Sequence, residues 1–265
     1  MMLNRIVAQT RQAVALMKKV TPLETISGRL TTGSFAFSSA LASRDWALIA
    51  ECKLASPAKG TLCKDYTVPE LAAIFATNGA AALSVHTNAA FRGCLDDIRQ
   101  VKAVVSLPVL CKEFVIDEYQ LYAARAAGAD AVLLIAAILS DSELRTLSQL
   151  AASLGLDCLV EVHTLAELSR VKQAGARLVG INNRDLQTFT TNIEQTFRLL
   201  PDCEPGWLII SESGIKNGED ALKLKNAGVK GILVGEGLVT APDRPAKTCE
   251  LAVPSLQYEG RGQNA

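Results

Sequence analysis

Eight times between residues 47 and 236 the chain repeats one phrase: a short apolar run, a polar turn, then an amphipathic stretch. The apolar runs are ALIAEC (47–52), AALSVHT (81–87), PVLCKEF (108–114), AVLLIA (131–136), DCLVEV (157–162), LVGINN (178–183), WLIISES (207–213) and GILVGE (231–236). Each has strand length and none alternates cleanly, as expected of parallel strands covered on both faces. Their starts lie roughly 21 to 34 residues apart, the size of one strand-plus-helix unit.

The turns carry the punctuation that helices need. Asp117 with Gln120, Ser140 with Glu143, Thr164 with Glu167, and Thr191 with Glu194 read as capping boxes or close variants. Thr67 before Val68, Pro69 and Glu70 is a further start signal. Gly79, Gly128, Gly155, Gly175 and Gly228 each precede the next apolar run, where a helix should stop. Eight units without a long insertion predict an α/β fold, a closed (β/α)8 TIM barrel; the alternative is an open doubly wound sheet. The chain has 265 residues, 49% of them hydrophobic, enough to fill one such domain. We assign 1–45 to an N-terminal helical extension, 46–250 to the barrel and 251–265 to a C-terminal tail. Within the extension, Leu3 to Val20 has helical spacing, followed by a Gly/Ser/Thr-rich connection (Ile26 to Ser39) and a short helix at Ala36–Ser43. Glu259 to Ala265 read as a frayed end.

Composition narrows the function classes. Lys plus Arg and Asp plus Glu number 27 each, so no charge excess points to nucleic acid or a membrane surface. No run approaches the ~18 apolar residues of a spanning helix. The opening MMLNRIVAQTRQAVALMKK lacks a signal-peptide core and reads as a first helix. The seven cysteines are widely spaced without a C-x-x-C, which argues against a disulfide framework or zinc site and favours a reducing, cytoplasmic setting.

In such a barrel chemistry belongs at the carboxyl ends of the strands. Charged and polar residues stand out there: Glu51 and Lys53 on the first run, Lys112 on the third, Glu161 on the fifth, Asn182 and Arg184 on the sixth, Glu212 and Ser213 on the seventh. Glu51 and Lys53, two apart, should share the face toward the mouth. A single such residue could be a solvated strand end or a tie between strands. Opposite charges gathered at one mouth cost several kcal/mol per ion unless well paired, which favours a site. Ser213-Gly214-Ile215 and Gly231 to Gly237, with Gly235 and Glu236 in the turn, fall on the seventh and eighth loops, where this fold often cradles phosphate on backbone N–H groups. Glu236 beside an anion should turn its side chain away and offer its N–H. His163 reads as serving a turn and His86 as a neutral structural residue. No Ser/His/Asp set, metal-ligand spacing or nucleotide fingerprint is present.

These motifs together resemble the indole-3-glycerol-phosphate synthase family. IAECKLASPAKG (49–60) is similar to its Glu-x-Lys…Ser-Pro…Lys-Gly signature, and PVLCKEFVIDEYQLYAARAAGADAVLLI (108–135), LVEVHTLAEL (159–168), LVGINNRDLQTF (178–189), ISESGI (210–215) and ILVGEGL (232–238) match it as well. The resemblance implies ring closure of 1-(2-carboxyphenylamino)-1-deoxyribulose 5-phosphate with loss of CO2 and water, as a lyase of tryptophan biosynthesis without cofactor or metal. It implies Lys112 as general acid, Lys53 and Glu161 as the second acid and base, and Glu51 as the residue tuning the lysines. It also implies Asn182 and Glu212 on the substrate hydroxyls, Arg184 at the aryl carboxylate, and Ser213, Gly214, Gly235 and Glu236 at the phosphate. Phe114 and Phe91 would pack the aromatic ring, and Ser56 and Ser84 complete the binding set. The expected partner is the phosphorylated small molecule, bound by a monomer that could associate with other tryptophan-pathway enzymes. The chain departs from the family after the second strand. His86, Asn88 and Cys94 stand where Leu, an acid and Ser are usual, and Leu54 replaces a basic residue.

Overall fold

The structure is a computed structural model that describes residues 2–28, 30–185, 188 and 190–254. Eight parallel strands form a closed barrel: β1 (Ala47–Cys52), β2 (Ala82–His86), β3 (Val109–Lys112), β4 (Ala131–Ile135), β5 (Asp157–Val162), β6 (Leu178–Asn182), β7 (Leu208–Glu212) and β8 (Gly231–Val234). Consecutive strands are neighbours, and β8 closes on β1 with Ala47 opposite Gly231 and Ala50 opposite Val234. The eight apolar runs are therefore the eight strands, and the ring is closed rather than an open sheet.

The expected helix signals account for most of the helices. Thr67 and Ser140 form capping boxes with Glu70 and Glu143, and Thr164 accepts from the Glu167 N–H. Asp117 caps through the Tyr119 N–H, while Gln120 instead holds the Ile116 N–H and the Phe114 carbonyl. Thr191 is not the cap of its helix. Asn192 accepts from the Glu194 N–H, because Thr191 is drawn into a β-bridge with Arg184. Gly79, Gly128, Gly155, Gly175 and Gly228 all lie in the left-handed region that ends a helix, with φ between 69° and 100°.

The N-terminal extension contains helices Met2–Val20, Leu23–Ser27 and Ala36–Ala42. The second lies partly in what reads as a connection. Val14 packs on Tyr119 and Ala123, and the Tyr119 hydroxyl donates to the Thr21 carbonyl at 2.9 Å, docking the first helix beside the helix after β3. Phe37 and Leu41 of the third helix join the barrel interior with Ala47, Ala131 and Leu178, which start their strands, so this helix plugs the amino-terminal end. The tail, including Glu259–Ala265, lies outside the described residues from 255 onward.

Two-residue alternation sorts each strand. Leu48, Ala50, Val109, Cys111, Val160, Val162, Val179 and Ile209 face the helices; Ala47, Ile49, Leu110, Leu159, Leu178 and Ile210 fill the interior. Continuing the inward series by two residues reaches Glu51, Lys112, Glu161 and Glu212, and by four, past Gly180, reaches Asn182. The core thus places the charged residues at one end of the barrel, above an apolar floor.

Candidate active site

A cavity of about 750 Å³ opens at that end. It is lined by Glu51, Lys53, Lys112, Glu161, Asn182, Arg184 and Glu212, with Ser56, Phe91, Phe114, Ser213, Gly214, Gly235 and Glu236 around them. Ser84 is fully buried and is not among the residues of the cavity wall; its hydroxyl has no hydrogen-bond partner.

Lys112 holds the centre. Its Nζ lies 2.6 Å from Oε2 of Glu212 and 3.5 Å from Oε2 of Glu161. Burial pulls its pKa down, but Glu212, Glu161 and Glu51 outweigh that and hold it above the ordinary lysine range. Burial pushes the Glu212 carboxyl up to about 7, with Glu161 adding to the shift and Lys112 restraining it. Gly180 makes room for this carboxylate, since a Cβ there would collide with Oε1 of Glu212.

Glu51 is the second node. Oε2 lies 3.4 Å from Nζ of Lys53, and Oε1 lies 3.0 Å from Nε2 of His86. Burial opposes ionisation, yet Lys53, His86 and Lys112 hold its carboxyl well below the usual carboxylate range. The Glu51 and Lys53 side chains do share the mouth-facing side. His163 serves its turn, with its N–H on Glu167 at 2.6 Å and its carbonyl accepting from Gln195. Its ring also backs Glu161, with Nε2 3.4 Å from Oε1.

Aromatic rings form one wall. Phe91 stacks on His86 with centroids 4.2 Å apart and planes 6° apart, and lies 6.2 Å from Phe114. Leu3 and Ile6 of the first helix reach the cavity from above. On the opposite side, Ser213 (φ 65°) and Gly214 (φ 79°) are consecutive left-handed residues that turn the chain sharply after β7. Asn183 braces that turn: its Nδ2 donates to the Ser213 carbonyl and the Ser211 hydroxyl, while its Oδ1 accepts from the Thr196 N–H and hydroxyl. The Glu236 carboxylate is taken by Lys59 at 2.5 Å, so it is directed to the loop after β1.

Sequence reasoning missed Glu113, whose carboxylate accepts from Thr87, Asn88 and the Phe114 N–H. Asn88 also reaches Thr10 at 3.0 Å, tying the loop after β2 to the first helix. The Lys-Glu-Phe triplet at 112–114 places a second charge next to the candidate acid, and that was the available signal. Among the described residues, no group of three or more His, Cys, Asp or Glu side chains is arranged to hold a metal ion. No helix among them is long and apolar enough to cross a membrane.

Residues 3–251 match the family described as indole-3-glycerol phosphate synthase. The chain belongs to this family. It is 43% identical over 256 residues to the indole-3-glycerol phosphate synthase of Albidiferax ferrireducens, covering 94% of this chain and 97% of that one. It is 50% identical over 218 residues to that of Desulforamulus reducens, covering 82% of this chain and 81% of its relative. Among solved structures, 3-hexulose-6-phosphate synthase from Salmonella typhimurium superposes with a TM-score of 0.62 at 16% identity, covering 78% of this chain and 96% of that one. That likeness concerns the barrel fold. The family's resemblance motifs converge on the cavity: 49–60 supplies Glu51 and Lys53, 108–135 Lys112, 159–168 Glu161, and 178–189 and 210–215 the opposite wall. Leu186, Gln187 and Phe189 of the 178–189 motif lie outside the described residues.

Proposed function

We propose that this chain is an indole-3-glycerol phosphate synthase, closing the pyrrole ring of 1-(2-carboxyphenylamino)-1-deoxyribulose 5-phosphate with release of CO2 and water in tryptophan biosynthesis. The observation that carries the reading is the Lys112 ammonium, kept protonated between Glu212 and Glu161 in the lining of the cavity. When the ring carbon bearing the carboxylate attacks the ketone, a C–C bond forms and the carbonyl oxygen becomes an alkoxide. An alkoxide is far more basic than an amine, so even a lysine held above its ordinary range protonates it readily.

Loss of the carboxylate as CO2 returns electrons toward the ring. The hydroxyl then leaves as water after protonation, and a base removes the proton that completes the indole. Lys53 and Glu161 supply this second acid and base between them. Glu161 lies 3.5 Å from Lys112, within a short proton path of it. Glu51 keeps Lys53 at the mouth, and Asn182 and Glu212 hold hydroxyls. Asn182 holds the Arg184 backbone N–H through its Oδ1, which supports Arg184 as the residue that meets the aryl carboxylate. The guanidinium matches a carboxylate in shape and charge.

The turn at Ser213-Gly214 and the backbone of Gly235-Glu236 receive the phosphate. Diversion of the Glu236 carboxylate to Lys59 supports a role for its N–H rather than its side chain. Phe91 and Phe114 pack the aniline ring. The Arg184 guanidinium pairs the second anion of the substrate. All seven cysteines are free thiols, which supports a cytoplasmic setting.

Mass spectrometry of the product tests the proposal. The purified chain should convert the carboxyphenylamino-deoxyribulose phosphate into a species lighter by one CO2 and one water. Recovery of intact substrate, or of a species that has lost water but kept its carboxylate, would contradict it.

A further inference from the structure

His86 stands where the charged cluster meets the aromatic wall, and the steps above give it no task. It is buried at the end of β2, opposite Lys112 in register. Its ring engages two members of the site. Nε2 lies 3.0 Å from Oε1 of Glu51, and because a carboxylate only accepts, the ring donates through Nε2–H. Phe91 lies flat against the same ring. Oε2 of Glu51 lies 3.4 Å from Nζ of Lys53, and that ammonium stands 5.4 Å from the centroid of Phe91. Four side chains thus close a circuit: His86 to Glu51, Glu51 to Lys53, Lys53 to Phe91, and Phe91 back to His86.

We propose that His86 is a positioning residue that fixes the Lys53 ammonium from two sides, through the Glu51 carboxylate and through the face of Phe91. A lysine ammonium is a compact charge on a flexible four-carbon stem, so its place is set by what surrounds it. With Oε1 engaged by His86, only Oε2 is left for Lys53. The backbone of Gly235 limits the carboxylate from a third side, since a Cβ there would collide with Oε2. An aliphatic filler would supply neither hold. It would also spare the buried Nδ1, which has no hydrogen-bond partner. Burial keeps the imidazole from taking a second proton, against the pull of Glu51, so the ring works as a neutral donor.

This inference rests on the assignment of Lys53 to the ring-closing reaction. Three variants separate the two holds: His86→Phe keeps a stacking ring and loses the donor, His86→Gln keeps a donor and loses the ring, and His86→Ala loses both. Steady-state turnover of the carboxyphenylamino-deoxyribulose phosphate is measured together with the melting temperature of each. In His86→Ala, kcat should fall about tenfold to a hundredfold, the scale of a misplaced catalytic group, with a smaller change in KM. His86→Phe and His86→Gln should each recover part of that loss while melting close to the unmodified chain. Unchanged kcat in His86→Ala would overturn the inference alone. So would losses in the Phe and Gln variants that merely track their unfolded fraction. Absence of turnover in the unmodified chain would overturn the underlying function as well.

Discussion

Oε2 of Glu212, at the end of β7, lies 2.6 Å from Nζ of Lys112, at the end of β3. The two strands stand apart in the ring, so the pair bridges the barrel mouth and anchors the charged cluster beneath the substrate cavity. Breaking it from either side has different consequences.

Removing the ammonium should remove chemistry and spare binding. Lys112→Ala is expected to lower kcat by about 10²-fold to 10⁴-fold, the range for a positioned general acid. The phosphate turn at Ser213-Gly214 belongs to another loop, so calorimetric affinity for a phosphate-bearing product analogue should change little. Equal loss of binding and turnover would count against the acid role.

Glu212 gives a pH signature. Its carboxyl is raised to about 7, so between the ordinary glutamate value and about pH 7 the folded chain holds a proton that the unfolded chain has released. The stability this proton represents is fully present below the ordinary value and is lost as pH rises through about 7. Urea unfolding from pH 5 to 8 should show this decline, and Glu212→Gln should flatten the contribution relative to the parent. The same slope in both proteins would contradict the assignment.

Gly180 tests packing around that carboxylate. A Cβ at this position collides with Oε1 of Glu212. Gly180→Ala should destabilise by about 1–3 kcal/mol, as overpacking does, and should lower kcat by displacing Glu212 from Lys112. Denaturation and steady-state kinetics on one preparation check both effects.

Ser140 provides the contrast. Its hydroxyl accepts from the Glu143 N–H while the Glu143 carboxylate holds the Ser140 N–H, and neither residue lines the cavity. Ser140→Ala should cost about 1 kcal/mol of stability, read from urea unfolding, and leave turnover unchanged.

The barrel was legible because its determinants are local. Strand length, capping residues and stop glycines recur within each unit, and two-residue alternation carries Glu51, Lys112, Glu161 and Glu212 inward together. What was hidden depends on partners far along the chain. Glu113 looks like an ordinary strand-end charge until Thr87 and Asn88 meet it. Ser84 shares the parity of His86 but lies one step deeper, below the cavity. Thr191 is a plausible cap by residue type, but it pairs with Arg184 in a bridge and the helix starts after Ile193. His86 could be placed at a strand end from sequence, whereas its contact with Glu51 arises only when β1 and β2 pair.

The central claim is that the cluster around Lys112 closes an indole ring. Indole fluorescence tests it most directly, recorded after the purified chain and its Lys112→Ala variant are each mixed with the carboxyphenylamino-deoxyribulose phosphate. The account predicts a steady rise with the unmodified chain and a nearly flat trace with the variant. No rise with the folded unmodified chain, or equal rises with both, would contradict it.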